Sequence, residues 1–158
     1  MIPAVGTAAP DFELPWKVGE PPVRRSEYQG DRPLVILFFP LAYSPVCTDE
    51  MCAVAEDWSA WRALDAKVVG ISVDSPWVNV RFARDTGVDF PLLSDFNKDV
   101  ARSYGVLNPD YFGMQGVADR AAFVVAGDGT IAWAWHTDDD SVLPDLDVIR
   151  GVLADLAD

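Results

Sequence analysis

The amino-acid sequence predicts an α/β fold: residues 1–158 as one domain, with a mixed β-sheet layered against helices and an antiparallel hairpin late in the chain. Three observations predict it. Two short apolar runs, LVILFF at 34–39 and KVVGISV at 67–73, have the composition of strands and are bounded by turn residues. Between them Met51, Val54, Trp58, Trp61 and Leu64 recur at spacings of three and four, which places a stripe on one helix face. Strand, helix and strand then form a unit whose product is a parallel pair. Later, AAFVVAGDGTIAWAW holds two strand-like runs around Gly127, Asp128 and Gly129, the strongest hairpin signal in the chain.

Taken in order, the opening MIPAVGTAAPDFELPWK lacks a basic leader and reaches acidic residues before any long apolar stretch, so no targeting segment is expected. Residues 15–33 are turn-rich, with room for short strands only. After the first strand, helix and second strand, PWVNVRFARDTG reads as a helix that follows Asp74 and Ser75 and closes at Gly87; NKDVARSYG reads as a shorter one closed by Gly105. Leu146, Ile149, Leu153 and Leu156 make a final amphipathic helix. This order suits a thioredoxin-like layer sandwich. The tryptophans of the central stripe read as core packing. No repeat, low-complexity stretch or Ser/Gly linker divides the chain, and 158 residues, half of them hydrophobic, suffice for one sizeable core.

Twelve basic residues against 25 acidic ones give a formal charge of −13, which repels nucleic acid phosphates and anionic lipid heads. Neither nucleic acid nor membrane is expected as a partner. The longest apolar run, residues 33–43, falls far short of the roughly 20 needed to span a bilayer. The expected location is the cytoplasm. Asp138, Asp139 and Asp140 read as solvated acidic surface, with salt adaptation or a basic partner left open. Cys47, Cys52 and the distant His136 are the only soft or borderline ligands, so neither a metal site nor another cofactor is expected.

The chemistry concentrates in FFPLAYSPVCTDEMC, residues 38–52, which holds both cysteines. Cys47 follows the apolar strand at the start of the predicted helix, where free backbone N–H groups and the positive end of the helix dipole favour a thiolate. Pro45 suits the first helical position, and Ser44 has a hydroxyl for capping or a local hydrogen bond. On these features alone, the favoured reading of Cys47 is a small buried residue beside a proline turn. Cys52 lies in the same helix. Helical geometry sets residues five apart at about 8.7 Å between Cα atoms, beyond the roughly 7 Å that a disulfide can close. A static disulfide is excluded while that helix stays wound, and the spacing is not that of a thioredoxin-type pair.

Pro40, Ser44 and Cys47 in PLAYSPVC resemble the active-site pattern of the peroxiredoxins, and GTAAPDFEL at 6–14 resembles their opening segment. The similarity continues through Glu50, FPLLSD at 90–95, YGV at 104–106 and Arg120 before AAFVVAGDGTI, so it covers nearly the whole chain. FFPLAYSPVC and FPLLSDF look most like the alkyl hydroperoxide reductase E group; the second cysteine resembles that of the PrxQ-like group, also called bacterioferritin-comigratory. Two departures stand out. Ser44 occupies a position where threonine is commoner, which keeps the donor and loses the methyl that limits its rotation. Ala121 and Ala122 stand where a polar residue often follows the arginine.

The resemblance implies a thiol peroxidase. Cys47 is then the nucleophile that becomes a sulfenic acid, Ser44 donates to the peroxide, and Arg120 favours the thiolate and polarises the O–O bond. Pro40 shields the sulfur, and Glu50, which by itself reads equally as a solvated acid, orients Arg120. Cys52 either resolves the sulfenic acid or is a helix residue bypassed by an external thiol. The partners implied are a peroxide, a thioredoxin-like protein or low-molecular-weight thiol as reductant, and a second copy in a homodimer. His136 matches no motif and reads as structural; Tyr43, Trp77 and Phe112 read as pocket mouth, dimer contact or ordinary packing. Two other readings stay open: a thiol-disulfide oxidoreductase or redox sensor on the same fold, and a non-catalytic acidic binding module.

Overall fold

The protein is described by a computed structural model covering every residue except 31, 58, 60–62, 64, 65 and 158. In chain order the elements are β1 (Glu13–Leu14), β2 (Val23–Arg24), a 3-10 turn (Arg25–Tyr28), β3 (Leu34–Phe38), α1 (Pro45–Glu56), β4 (Lys67–Ser72), α2 (Pro76–Thr86), β5 (Leu92–Ser94), α3 (Asp99–Ser103), β6 (Leu107–Asn108), β7 (Val117–Ala118), β8 (Arg120–Val125), β9 (Ile131–Thr137) and α4 (Leu146–Leu156). Five strands form the main sheet in the order β5-β4-β3-β8-β9. β3 pairs with β4 in parallel and with β8 antiparallel, and β8 with β9 make the hairpin.

Every residue of β3 is buried, as a central strand covered on both faces requires. Period-two alternation then splits the core in two. Leu34, Ile36 and Phe38 face Phe12, Tyr104 and Phe123; Val35 and Leu37 face the side of Met51 and Val54 from α1, Phe82 from α2, and Ile149 and Leu153 from α4. Met51, Val54, Phe82, Ile149 and Leu153 are each fully buried, and burying such a side chain stabilises by about 1.5–3 kcal/mol.

Helix ends follow local chemistry. Pro76 sits in the first turn of α2, the Ser75 hydroxyl accepts from Val78 N, and Gly87 closes the helix at φ 81°. The buried Asp95 carboxylate accepts from the Val100 and Ala101 N–H groups at the start of α3. The hairpin turns on Gly129 at φ 91°, with Asp128 accepting from the Thr130 backbone and hydroxyl.

The structure differs from the sequence expectation at several points. FPLLSD contributes the edge strand β5, three residues too short to show a period of its own. In the final helix Leu156 is exposed, so the inward stripe rests on Ile149 and Leu153. Helix α1 is described to Glu56, and the expected stripe residues Trp58, Trp61 and Leu64 lie outside the described residues. Among the described residues no helix is long and apolar enough to cross a membrane, and no group of three or more His, Cys, Asp or Glu could hold a metal ion.

Candidate active site

The site forms where β3 ends and α1 begins. Pro40, buried, opens the turn after the strand, and the turn is fastened from β4: Phe39 N donates to Ile71 O at 3.1 Å, and Ala42 N donates to Asp74 Oδ2 at 2.8 Å. Tyr43 takes the left-handed region at φ 68°, stacks edgewise on Phe82 with centroids 5.0 Å apart, and donates its hydroxyl to Asp85 Oδ2. Ser44 is the N-cap residue and Pro45 begins α1, which makes Cys47 the third residue of the helix. Its thiol is fully buried.

Cys47, Glu50, Met51 and Val54 are the buried residues of α1, at intervals of three and four. Glu50 therefore shares the inward face with Cys47. Arg120 reaches them from β8. The register pairs Phe38 with Ala121, so Arg120 sits just past the end of β3, and alternation along β8 puts it on the same face as Ala122 and Val124, the side that α1 covers. Arg120 Nη2 donates to Cys47 Sγ at 3.2 Å and to the Asp140 carbonyl at 3.1 Å, while Nη1 donates to Glu50 Oε1 at 3.0 Å. Support for the guanidinium thus comes from Glu50 and the Asp140 backbone, where Ala121 and Ala122 offer none.

Arg120 and Glu50 form an ion pair with side chains no more than 1% exposed. Burial pushes the Glu50 carboxyl from its ordinary 4.5 up to about 7, against the pull of Arg120. Burial also works against the charge of Arg120, but Glu50 and then Cys47 outweigh it and hold the guanidinium above its ordinary value. Among the described residues Glu50 Oε2 and Arg120 Nε have no hydrogen-bond partner, although both are buried. The pair is strongly held on one edge and unpaired on the other, so α1 and β8 are joined at the sulfur by charge more than by a saturated network.

The structure brings Cys47, Glu50 and Arg120 together, with Ser44 and Pro40 in the adjoining turn. The Ser44 hydroxyl donates to the Leu41 carbonyl at 3.0 Å and caps no N–H of the helix. Cys52 is half-buried, a free thiol in the same unbroken helix as Cys47. His136 lies apart, its Nε2 bonded to Asp119 Oδ2 at 2.8 Å, with Asn108 Nδ2 donating to the other oxygen. Trp77 and Phe112 stand in solvent, 70% and 80% exposed, so neither belongs to the core. Sequence reasoning missed Asp74, Tyr111 and Asp140. The Tyr111 hydroxyl donates to Asp140 Oδ2 at 2.6 Å, a pairing across 29 residues that no local pattern announces.

The pattern of the AhpC/TSA family matches residues 5–134. This chain belongs to that family, the peroxiredoxins. It is 34% identical to alkyl hydroperoxide reductase E of Mycobacterium tuberculosis over 82% of this chain and 83% of the relative. It is 33% identical to a chloroplastic 2-Cys peroxiredoxin of Spinacia oleracea, again over 82% of this chain, but it spans about half of that protein's length, 51%. Among solved structures, the peroxidoxin BcpB of Mycobacterium tuberculosis superposes with a TM-score of 0.82 at 30% identity, over 96% of each chain. The thioredoxin-like peroxiredoxin fold is common to this chain and its structural neighbours.

Proposed function

We propose that this protein is a thiol-dependent peroxidase that reduces hydrogen peroxide or organic hydroperoxides at Cys47. The observation that carries the reading is the buried sulfur at a helix N-terminus with a buried, Glu50-paired guanidinium donating to it at 3.2 Å. The Cys47 thiolate attacks one peroxide oxygen along the O–O axis, an S–O bond forms as the O–O bond breaks, and the leaving alkoxide or hydroxide takes up a proton. Cys47 becomes the sulfenic acid. Arg120, already charged and oriented, steadies the thiolate and then the negative charge that develops on the leaving oxygen, so little reorganisation is needed during the reaction. Ser44 joins by turning its hydroxyl from the Leu41 carbonyl to the substrate, a rotation left free by its missing methyl. Pro40 shields the sulfur from water.

Cys52 then attacks the sulfenic sulfur, forming the disulfide and releasing water. Both residues lie in α1, and the wound helix holds them about 8.7 Å apart, so its first turns unwind before the bond closes. The opened segment offers the disulfide to an external thiol reductant. We further read residues 1–158 as one domain, working in the cytoplasm as a homodimer. A close cysteine pair that its helix holds too far apart for a static disulfide fits a reducing compartment, where such pairs are redox-active. A thiol-disulfide exchange enzyme is disfavoured by the four residues that separate the cysteines.

Stopped-flow tryptophan fluorescence on the reduced protein tests the reading, with six tryptophans to report. Hydrogen peroxide should produce a rapid, stoichiometric change that is lost in Cys47→Ser. A protein whose Cys47 reacts no faster than a free thiol is not a peroxidase.

A further inference from the structure

We propose that Tyr111 and Asp140 act together as positioning residues for Arg120, a tie from the 109–114 turn through the segment after β9 to the guanidinium. The proposal rests on the peroxidase reading, which it deepens by naming what aims the arginine. Arg120 Nη2 carries two N–H groups; one is directed to Cys47 Sγ and the other to the Asp140 carbonyl. The direction of the first is therefore coupled to the place of that carbonyl.

Asp140 has no strand or helix to hold it. It follows β9, and the pairing of Arg120 with Thr137 brings the segment back beside the arginine. What fixes it from outside is its own side chain, which accepts from the Tyr111 hydroxyl at 2.6 Å. Tyr111 is a firm anchor. Its backbone exchanges two hydrogen bonds with Met114, both at 2.9 Å, and Asp110 Oδ1 accepts from Gly113 N. Phe112, at φ 52°, sets its ring edgewise on the Tyr111 ring with centroids 4.8 Å apart. Tyr111 as a whole is 9% exposed. Its phenol proton is held tightly, by burial first and then by the bond to the Asp140 carboxylate and that group's charge, with Arg120 pulling the other way. Asp140 lies beyond residues 5–134, the stretch that matches the family pattern.

Tyr111→Phe removes one hydroxyl and keeps the ring. The expected result is a drop of about tenfold in the second-order rate of Cys47 oxidation by hydrogen peroxide, just under what losing one whole hydrogen bond to a charged group would cost, since the lost bond acts on the arginine indirectly. Asp140→Ala should lose a similar factor, and Asp140→Asn, which keeps an acceptor for the phenol, should regain most of the rate. A double-mutant cycle separates positioning from simple structural damage. If Tyr111 acts through Arg120, adding Tyr111→Phe to Arg120→Met should slow the reaction no further. Wild-type kinetics in Tyr111→Phe, or the same loss with and without Arg120, would overturn the proposal. Iodoacetamide alkylation of Cys47 at neutral pH, read in the same variants, should slow with Tyr111→Phe and follow the same cycle. That readout judges the tie even in a protein found inert towards peroxide, whose inertness would count against the peroxidase reading alone.

Discussion

Replacing Arg120 with methionine should separate catalysis from folding. The guanidinium donates to Cys47, Glu50 and Asp140, and methionine keeps much of the apolar volume while removing the charge. Breaking a buried ion pair ordinarily costs about 3–5 kcal/mol, because the partner is left charged in the core. Here the partner has an escape. Glu50 already titrates near 7 with Arg120 pulling its value down; without the cation burial acts unopposed, and the carboxyl keeps its proton at neutral pH. Protonation of Glu50 removes the uncompensated charge, so the loss should not exceed that of a broken pair, about 3–5 kcal/mol. The oxidation rate should fall on the order of a hundredfold, the usual consequence of removing one preorganised electrostatic group. Stopped-flow oxidation and urea unfolding on the same preparations measure both quantities. Native peroxidase kinetics in Arg120→Met, or a stability loss well above that of a broken pair, would refute this account of the arginine.

The wild-type pair carries its own pH signature. The Glu50 carboxyl is raised when folded, so its contribution to stability is fully present below the ordinary 4.5 and is lost as pH rises through about 7. Urea midpoints at about pH 5 and pH 8 should show this slope, and Glu50→Gln should flatten it. After one equivalent of peroxide, mass spectrometry should find a loss of two hydrogens and a Cys47–Cys52 link, absent in Cys52→Ser; a sulfenic acid trapped by dimedone as readily in wild type as in Cys52→Ser would deny Cys52 a resolving role. Gly70→Ala should destabilise by about 1–3 kcal/mol, because its Cβ would meet Leu92 Cδ2 at 2.5 Å and Phe39 Cε1 at 3.3 Å; an unchanged urea midpoint would show that Leu92 repacks freely.

The sheet was legible where strands announce themselves by composition. The runs at 34–39 and 67–73 became β3 and β4 in parallel, and Gly127, Asp128 and Gly129 marked the β8–β9 hairpin. Gly87 and Gly105 closed helices because both hold a left-handed backbone that a side chain strains. β5 was not legible, since three residues after a proline have no period to read. At the site, Cys47 at a helix start could be read from local chemistry, but the meeting of Arg120 with it rests on strand register 73 residues away; the sequence pointed there only through family resemblance. Tyr111 and Asp140 meet through loops whose course depends on tertiary contacts, so their partnership had no trace in spacing or composition.

The two thiols of this chain make one measurement self-controlled. Reduced protein mixed with one equivalent of hydrogen peroxide, quenched at successive times and differentially alkylated, reports by mass spectrometry which sulfur is oxidised first. Cys47, under Arg120, should lose its free thiol at peroxidase rate, with Cys52 disappearing only afterwards and in step with disulfide formation. Cys52 oxidised first, or both sulfurs consumed together at the rate of an ordinary thiol, would contradict the assignment of Cys47 as the residue that attacks the peroxide.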